Sequence, residues 1–195
     1  MMIMAELLEN APPEKQAEFI SNIQSSLYRT EWLVSALLKM AKLDAKAVVF
    51  KTEKITLADL ISAAIDPLKI QLELKEQEIE VIGEQIFHCD KRWTAEVLAN
   101  VIKNASEHAP AGSTIKIESG ANPISKSVSV TDAGAGLDRT QIAKLFKRFE
   151  SSNNRDGYGI GLPLALTIMK NQFGDIAVDG GGKVKGATFT LKFYA

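Results

Sequence analysis

Residues 96–109 read EVLANVIKNASEHA, with Asn100 and Asn104 four positions apart among Val97, Leu98, Val101 and Ile102. Four positions are about one helical turn, so the two amides share one face of a helix whose other side chains favour burial. Amides in such a place are costly unless something binds them. His108 falls one further turn along that face, where it can reach a ligand, cap the helix or serve structure alone. Asp90 is placed to cap the start of the helix, and HAPAG (108–112) should end it.

Working outward, Thr56 and Asp59 have capping-box spacing ahead of LISAAI (60–65), which predicts a helix that Pro67 should kink or bound. AVVFK (47–51) and EIEVIGE (78–84) read as strands. TIKIES (114–119) and KSVSVTD (126–132) alternate with period two, as half-buried strands do. AKLFKRF (143–149) and GLPLALTIMKNQF (161–173) read as helices, and DIAV (175–178), the DGGGK turn (179–183) and ATFTLKF (187–193) as a closing hairpin. Mixed helices and strands with late hairpin links predict an α/β sandwich: a mixed, largely antiparallel sheet packed under helices, not a doubly wound parallel sheet.

The first 47 residues differ in kind. MMIMAELLEN (1–10) resembles a helix tail, NAPPE (10–14) a turn, and 14–43 a long helix with no internal glycine or proline. Ile20, Ile23, Leu27, Val34, Leu37 and Ala41 fall near heptad spacing. Thirty residues make a rod of roughly 45 Å, which favours pairing with another helix over burial against one compact neighbour.

Of the 195 residues 46% are hydrophobic, enough for a large core, and the net charge of −1 gives no sign of a nucleic-acid surface. Cys89 is the single cysteine, so no internal disulfide forms and a reducing compartment fits. No apolar run approaches the ~20 residues that span a bilayer, and the first residues lack signal-peptide features, so the expectation is a soluble, cytoplasmic region without membrane contact.

Two further features carry chemistry. In VSVTDAGAGL (128–137), Val128, Val130 and Asp132 share one strand face, so the carboxylate points inward with the valines. A buried carboxylate needs a donor, and a ligand amino group would serve. Gly134 and Gly136 follow in a turn that can approach a ligand closely, although an ordinary β-turn explains D-x-G-x-G equally well. In DGYGIGLPLALTIMK (156–170), Gly157, Gly159 and Gly161 precede an apolar helix. A glycine loop at a helix N-terminus suits phosphate, whereas a plain helix start is the simpler alternative.

In this order and at these separations, the three features resemble the ATP-binding domain of sensor histidine kinases, within the wider group of gyrase B, Hsp90 and MutL. The N box is Asn100 to Asn104, and the first glycine box is Asp132 to Gly136. LFKRF supplies Phe146 and Phe149 of the phenylalanine box, and GYGIGLPLA matches the second glycine box. YRTEWLVSALLKMAKLDA (28–45) resembles the second helix of that family's dimerisation hairpin.

The resemblance implies a Bergerat-type ATP-binding fold over 48–195, and over 1–47 a partial dimerisation hairpin without its phosphoacceptor motif. It implies ATP and Mg²⁺, with Asn104 as the metal ligand, Asn100 near the terminal phosphates and Asp132 on the adenine amino group. It places His108, Gly134, Gly136 and Gly157 at the nucleotide, and amides around Gly159, Ile160, Gly161 and Leu162 on the phosphates. Residues 137–158 would form a lid that Phe146 and Phe149 pin to the core. Asn100 stands where ATP-hydrolysing relatives carry a glutamate base; an amide cannot take that proton, so transfer to an already nucleophilic imidazole fits better.

There are departures. Ala187 stands where the last box often has threonine, Thr188 should face away from Phe189, and Ser151 replaces a common basic residue. Arg148 or Arg155 can contact the γ-phosphate instead, or be solvated lid charges. His88 and His108 are the only histidines, and neither has the phosphoacceptor context, so this chain should bind ATP without phosphorylating itself. The expected partners are a response regulator and, through residues 1–44, a second copy in a parent protein whose membrane anchoring is left open. The alternatives are a degenerate scaffold without nucleotide binding and an ATP-driven clamp.

Overall fold

The computed structural model describes residues 12–150, 159–181 and 186–194. The expectations for 1–11, for Ser151, Arg155 and Gly157, and for the tip of the DGGGK turn lie outside the described residues. Two compact units divide between Ala41 and Lys42.

Helix α1, Pro13–Asp44, supplies the first unit and extends just past the divide. It is unbroken, as its lack of internal glycine and proline predicts. Ile20, Leu27, Val34 and Leu37 of the heptad stripe stay exposed, and Tyr28 is 72% exposed.

In the second unit, β1 (Thr52–Thr56) leads into α2 (Leu57–Ile65). Thr56 is the N-cap: its hydroxyl accepts the Asp59 N–H at 3.2 Å and donates to the Asp59 carboxylate at 2.8 Å. Pro67 bounds that helix as expected, inside a 3-10 turn, Asp66–Leu68, and α3 (Lys69–Leu74) follows. Then come β2 (Glu78–Ile82), β3 (Ile86–Asp90), α4 (Lys91–His108), β4 (Thr114–Ala121) and β5 (Ser125–Thr131). The described elements end with α5 (Arg139–Lys144), α6 (Gly161–Asn171), β6 (Gly174–Asp179) and β7 (Thr188–Tyr194).

The main sheet has the order β2-β4-β5-β7-β6; β2 and β4 are parallel and every other pair is antiparallel. This is the mixed, largely antiparallel sheet that the sequence predicts. Ile115, Ile117, Val128, Val130, Phe189 and Leu191 are fully buried and alternate with polar residues along their strands. On the helical side Val97, Leu98, Val101 and Ile102 of α4 and Leu164, Ala165 and Ile168 of α6 are equally buried, and both α2 and α6 pack on α4. The sheet's other face carries hydroxyl pairs, Ser129 with Thr190 and Thr131 with Thr188, each at 3.0 Å.

Three local expectations are corrected. No strand forms over 47–51; the strand is Thr52–Thr56, which pairs antiparallel with β3. Apolarity pointed to the wrong segment: Val49 is 93% exposed, whereas the polar TEKIT segment pairs through its backbone and buries only Ile55. Strand β3 itself, IFHCD, was not foreseen. It buries Phe87 and Cys89, and burial pushes the Cys89 thiol pKa up, which makes it a core residue and not a nucleophile. The helix expected over 143–149 stops at Lys144 and starts earlier, at Arg139, because Asp138 as N-cap and Gln141 at N3 form a full capping box. Beyond it Phe149 has φ +65°, a conformation no right-handed helix passes through, and is 64% exposed. Phe149 is therefore not packed into the core, as a pin would be; Phe146 is half-buried.

Candidate functional site

Helix α4 starts at Asp90, whose carboxylate accepts the Trp93 N–H at 3.1 Å, and ends with Ala109 N–H on the Ala105 carbonyl. The helical period brings Asn100 and Asn104 onto one half-buried face. Their amides are used differently. Asn100 Nδ2 donates back to the Glu96 carbonyl at 3.0 Å. Its Oδ1 lies against the first residue of α6, where a Cβ on Gly161 would come within 2.9 Å of that oxygen. Asn104 makes no hydrogen bond among the described residues.

Asp132 follows the last residue of β5 and is 5% exposed. Its Oδ1 accepts two backbone N–H groups, from Gly134 at 2.8 Å and from Ala187 at 3.2 Å. The inward carboxylate is thus as expected, but its need for a donor is met in part by the chain itself, because the glycine turn and the start of β7 aim N–H groups at it. Oδ2 has no donor among the described residues.

Glycines pack the turn tightly. A Cβ on Gly134 would lie 2.7 Å from the His108 carbonyl oxygen, and one on Gly136, at φ +79°, 2.5 Å from that of Gly180. Gly186, at φ +102°, would put a Cβ 1.9 Å from the Asp132 carbonyl oxygen. These three positions admit no side chain without backbone movement.

Gly159, at φ +64°, accepts the Phe149 N–H through its carbonyl at 3.2 Å. Ile160 and Leu162 are buried in the core, so only their main chain is available to a ligand. Ile160 is the N-cap of α6 and supplies no side-chain hydrogen bond to it. The first turn of that helix therefore keeps backbone N–H groups and the positive dipole end for an anion.

Helix α4 thus touches glycine at both ends of its functional face: Asn100 meets Gly161, and the His108 carbonyl meets Gly134. Asn104 lies between. The structure brings Asn100, Asn104, Asp132, Gly134, Gly136, Gly161 and Ala187 into one neighbourhood. His108 contributes its carbonyl there, while its residue is exposed at the helix end. Arg148 is engaged elsewhere: its guanidinium donates to both Asp44 carboxylate oxygens at 3.0 Å, so it is not free to contact a phosphate in this arrangement. Thr188 points away from Phe189, as expected, and its hydroxyl meets that of Thr131. A groove of about 520 Å³ at the other end of α4, lined by Val49, Lys51 and Trp93 among others, includes none of the site residues.

The sequence reading missed the polar support under the end of α4. Gln77 is 8% exposed and bonds three backbone carbonyls of residues 106–110. The only signal was a glutamine directly ahead of a strand.

Residues 89–195 match the family described as histidine kinase-, DNA gyrase B-, and HSP90-like ATPase. The chain belongs to that family and contains an ATP-binding catalytic domain of the histidine kinase type. Among relatives, the sensor protein IrlS of Burkholderia pseudomallei is 28% identical over 194 residues, which cover 94% of this chain and 41% of IrlS. The sensor histidine kinase WalK of Bacillus subtilis is 30% identical over 188 residues, covering 90% of this chain and 30% of WalK. The chain therefore spans less than half the length of either relative. Among solved structures, the Acinetobacter baumannii histidine kinase AdeS has a TM-score of 0.80 at 20% identity, over 99% of this chain and 93% of that one. Full-length ShkA in complex with AMPPNP has a TM-score of 0.77 at 23% identity, over 97% of this chain and 41% of ShkA. Among the described residues no helix is long and apolar enough to cross a membrane.

Proposed function

We propose that this chain is the catalytic region of a two-component sensor kinase, binding Mg²⁺–ATP and presenting the γ-phosphoryl group to a histidine outside these residues. The observation that carries the reading is the double contact of α4, at Asn100 with Gly161 and at His108 with Gly134. It sets one amide without a partner among the described residues, Asn104, between a carboxylate and a helix start with no side-chain cap.

Each residue then has a task. Asp132 Oδ2 accepts the adenine amino hydrogen while Oδ1 stays tied to the main chain. N–H groups at Gly159, Ile160, Gly161 and Leu162 hold phosphate oxygens. The Asn104 oxygen suits Mg²⁺, a hard cation that needs few protein ligands. When bound, that ion neutralises phosphate charge. Asn100 offers no base at the phosphate end, so water is not activated there, whereas a neutral imidazole attacks without one. The chain's contribution is positioning and charge stabilisation. The complex of ShkA with AMPPNP supports the nucleotide assignment.

In this reading the exposed stripe of α1 pairs with a second copy, a response regulator receives the phosphoryl group, and the region works in the cytoplasm. Residues 1–47 serve dimerisation and 48–195 bind ATP. Because neither His88 nor His108 is the acceptor, labelled ATP leaves no acid-labile label on this chain. Calorimetric titration with Mg²⁺–ATP tests the core of the proposal. Binding that is weakened in Asp132→Asn and altered in Asn104→Asp supports it; no binding by the wild-type chain overturns it in favour of a nucleotide-free scaffold.

A further inference from the structure

The C-terminal end of α4 is anchored by side chains from one short segment. A helix end leaves its last carbonyls without intrahelical donors. Here Lys75 Nζ meets the Ser106 carbonyl at 2.5 Å and the Glu107 carbonyl at 3.4 Å. Gln77 Nε2 is shared among the carbonyls of Ser106, Ala109 and Pro110 at 3.2, 3.3 and 3.0 Å. Gln77 Oε1 accepts the Ser106 hydroxyl at 2.7 Å, and that hydroxyl accepts Gln71 Nε2 at 3.2 Å. Gln77 and Ser106 are both buried, at 8% and 1% exposure.

This anchor grips α4 two residues past Asn104. The Asn104 amide has no partner of its own among the described residues, so the backbone of α4 alone decides where it lies. Asp132 is held mainly from the sheet side, by β5 and by the Ala187 N–H, with Gly134 the turn residue that also meets the end of α4. What the anchor controls is therefore the placement of Asn104 relative to Asp132.

We propose that Gln77, acting with Ser106 and Lys75, is a positioning residue for the divalent cation: it sets α4 so that Asn104 meets the metal while Asp132 holds the purine. This rests on the Mg²⁺–ATP reading above. A buried glutamine supporting a ligand-bearing helix in this way acts as outer-shell partners of metal ligands do, whose loss typically costs about 10–100-fold in metal affinity.

The test is calorimetry on the full chain with ATP plus Mg²⁺ and with ATP plus EDTA, alongside melting curves. Gln77→Met keeps the volume and removes every hydrogen bond. It should weaken Mg²⁺–ATP binding about tenfold while leaving the EDTA value unchanged, so that the gain from Mg²⁺ collapses. Combined with Asn104→Ala, which removes the metal amide, it should change nothing further. Ser106→Ala, losing one hydroxyl, should fall between and carries the same criterion if Gln77→Met does not fold. A lower melting temperature with an unchanged Mg²⁺ gain would make Gln77 purely structural and overturn the inference alone. A wild-type chain that binds no Mg²⁺–ATP overturns it together with the function proposed above.

Discussion

The two ends of the site are built differently. Around Asp132 nearly everything is committed: two N–H groups on one oxygen, and glycines at 134, 136 and 186 with no room for a Cβ. Toward the phosphate end, the start of α6 has no side-chain cap, Phe149 is exposed, and Arg148 is paired with Asp44. The contrast teaches that the proposed base end is built into the fold, whereas among the described residues Arg148 and Phe149 are not gathered at the proposed phosphate end.

The largest effect that could break this comparison comes from Gly186→Val. Its Cβ would meet the Asp132 carbonyl at 1.9 Å in a conformation with φ +102°, so more than about 3 kcal/mol of stability should go, read as loss of the folded signal in circular dichroism. Unchanged melting would mean that the base end is not rigid. Next comes Asp132→Asn, which keeps an acceptor for the Gly134 and Ala187 N–H groups but turns donors toward the ligand. ATP affinity should fall by about 10–100-fold with little change in melting, because a charge-assisted hydrogen bond is worth about 1.5–3 kcal/mol. Equal affinity would remove Asp132 from base recognition.

Smaller effects sharpen the other end. Gly161→Ala places a Cβ 2.9 Å from Asn100 Oδ1, the far end of a side chain that can give way. A cost of about 1 kcal/mol is expected, and Asn100→Ala in the same chain should relieve it, so the two changes are not additive in melting experiments. Strict additivity would deny the contact. Smallest is Arg148→Ala: its partner is an exposed carboxylate, so the loss should stay below about 1 kcal/mol and vanish in high salt. A larger, salt-independent loss would give the ion pair a role in stability.

How much of this was written plainly in the sequence depended on whether local chemistry or distant pairing decided the outcome. The caps at Thr56 and Asp90, the boundary at Pro67 and the alternating strands β4 and β5 follow from neighbouring residues alone, and they held. So did the inward turn of Asp132, because strand alternation fixes it. The sequence misplaces β1 because its place depends on β3, about thirty residues or more away, and not on its own apolarity. Strand β3 was missed for the same reason. Two aspects of the site were equally hidden: that Ala187, 55 residues on, shares the Asp132 carboxylate, and that Gln77 supports α4. Motif spacing reveals which residues meet a ligand; it says little about which residues hold them still.

The parallel pairing of β2 with β4 has a kinetic corollary. Parallel neighbours must be joined by a long connection, and here that connection contains α4, the helix bearing both asparagines. The nucleotide pocket cannot exist until this excursion has closed, and loop closure of that kind is slow compared with local hairpin formation. During refolding, competence to capture nucleotide should therefore lag behind the β6–β7 hairpin and arrive together with the docking of β2.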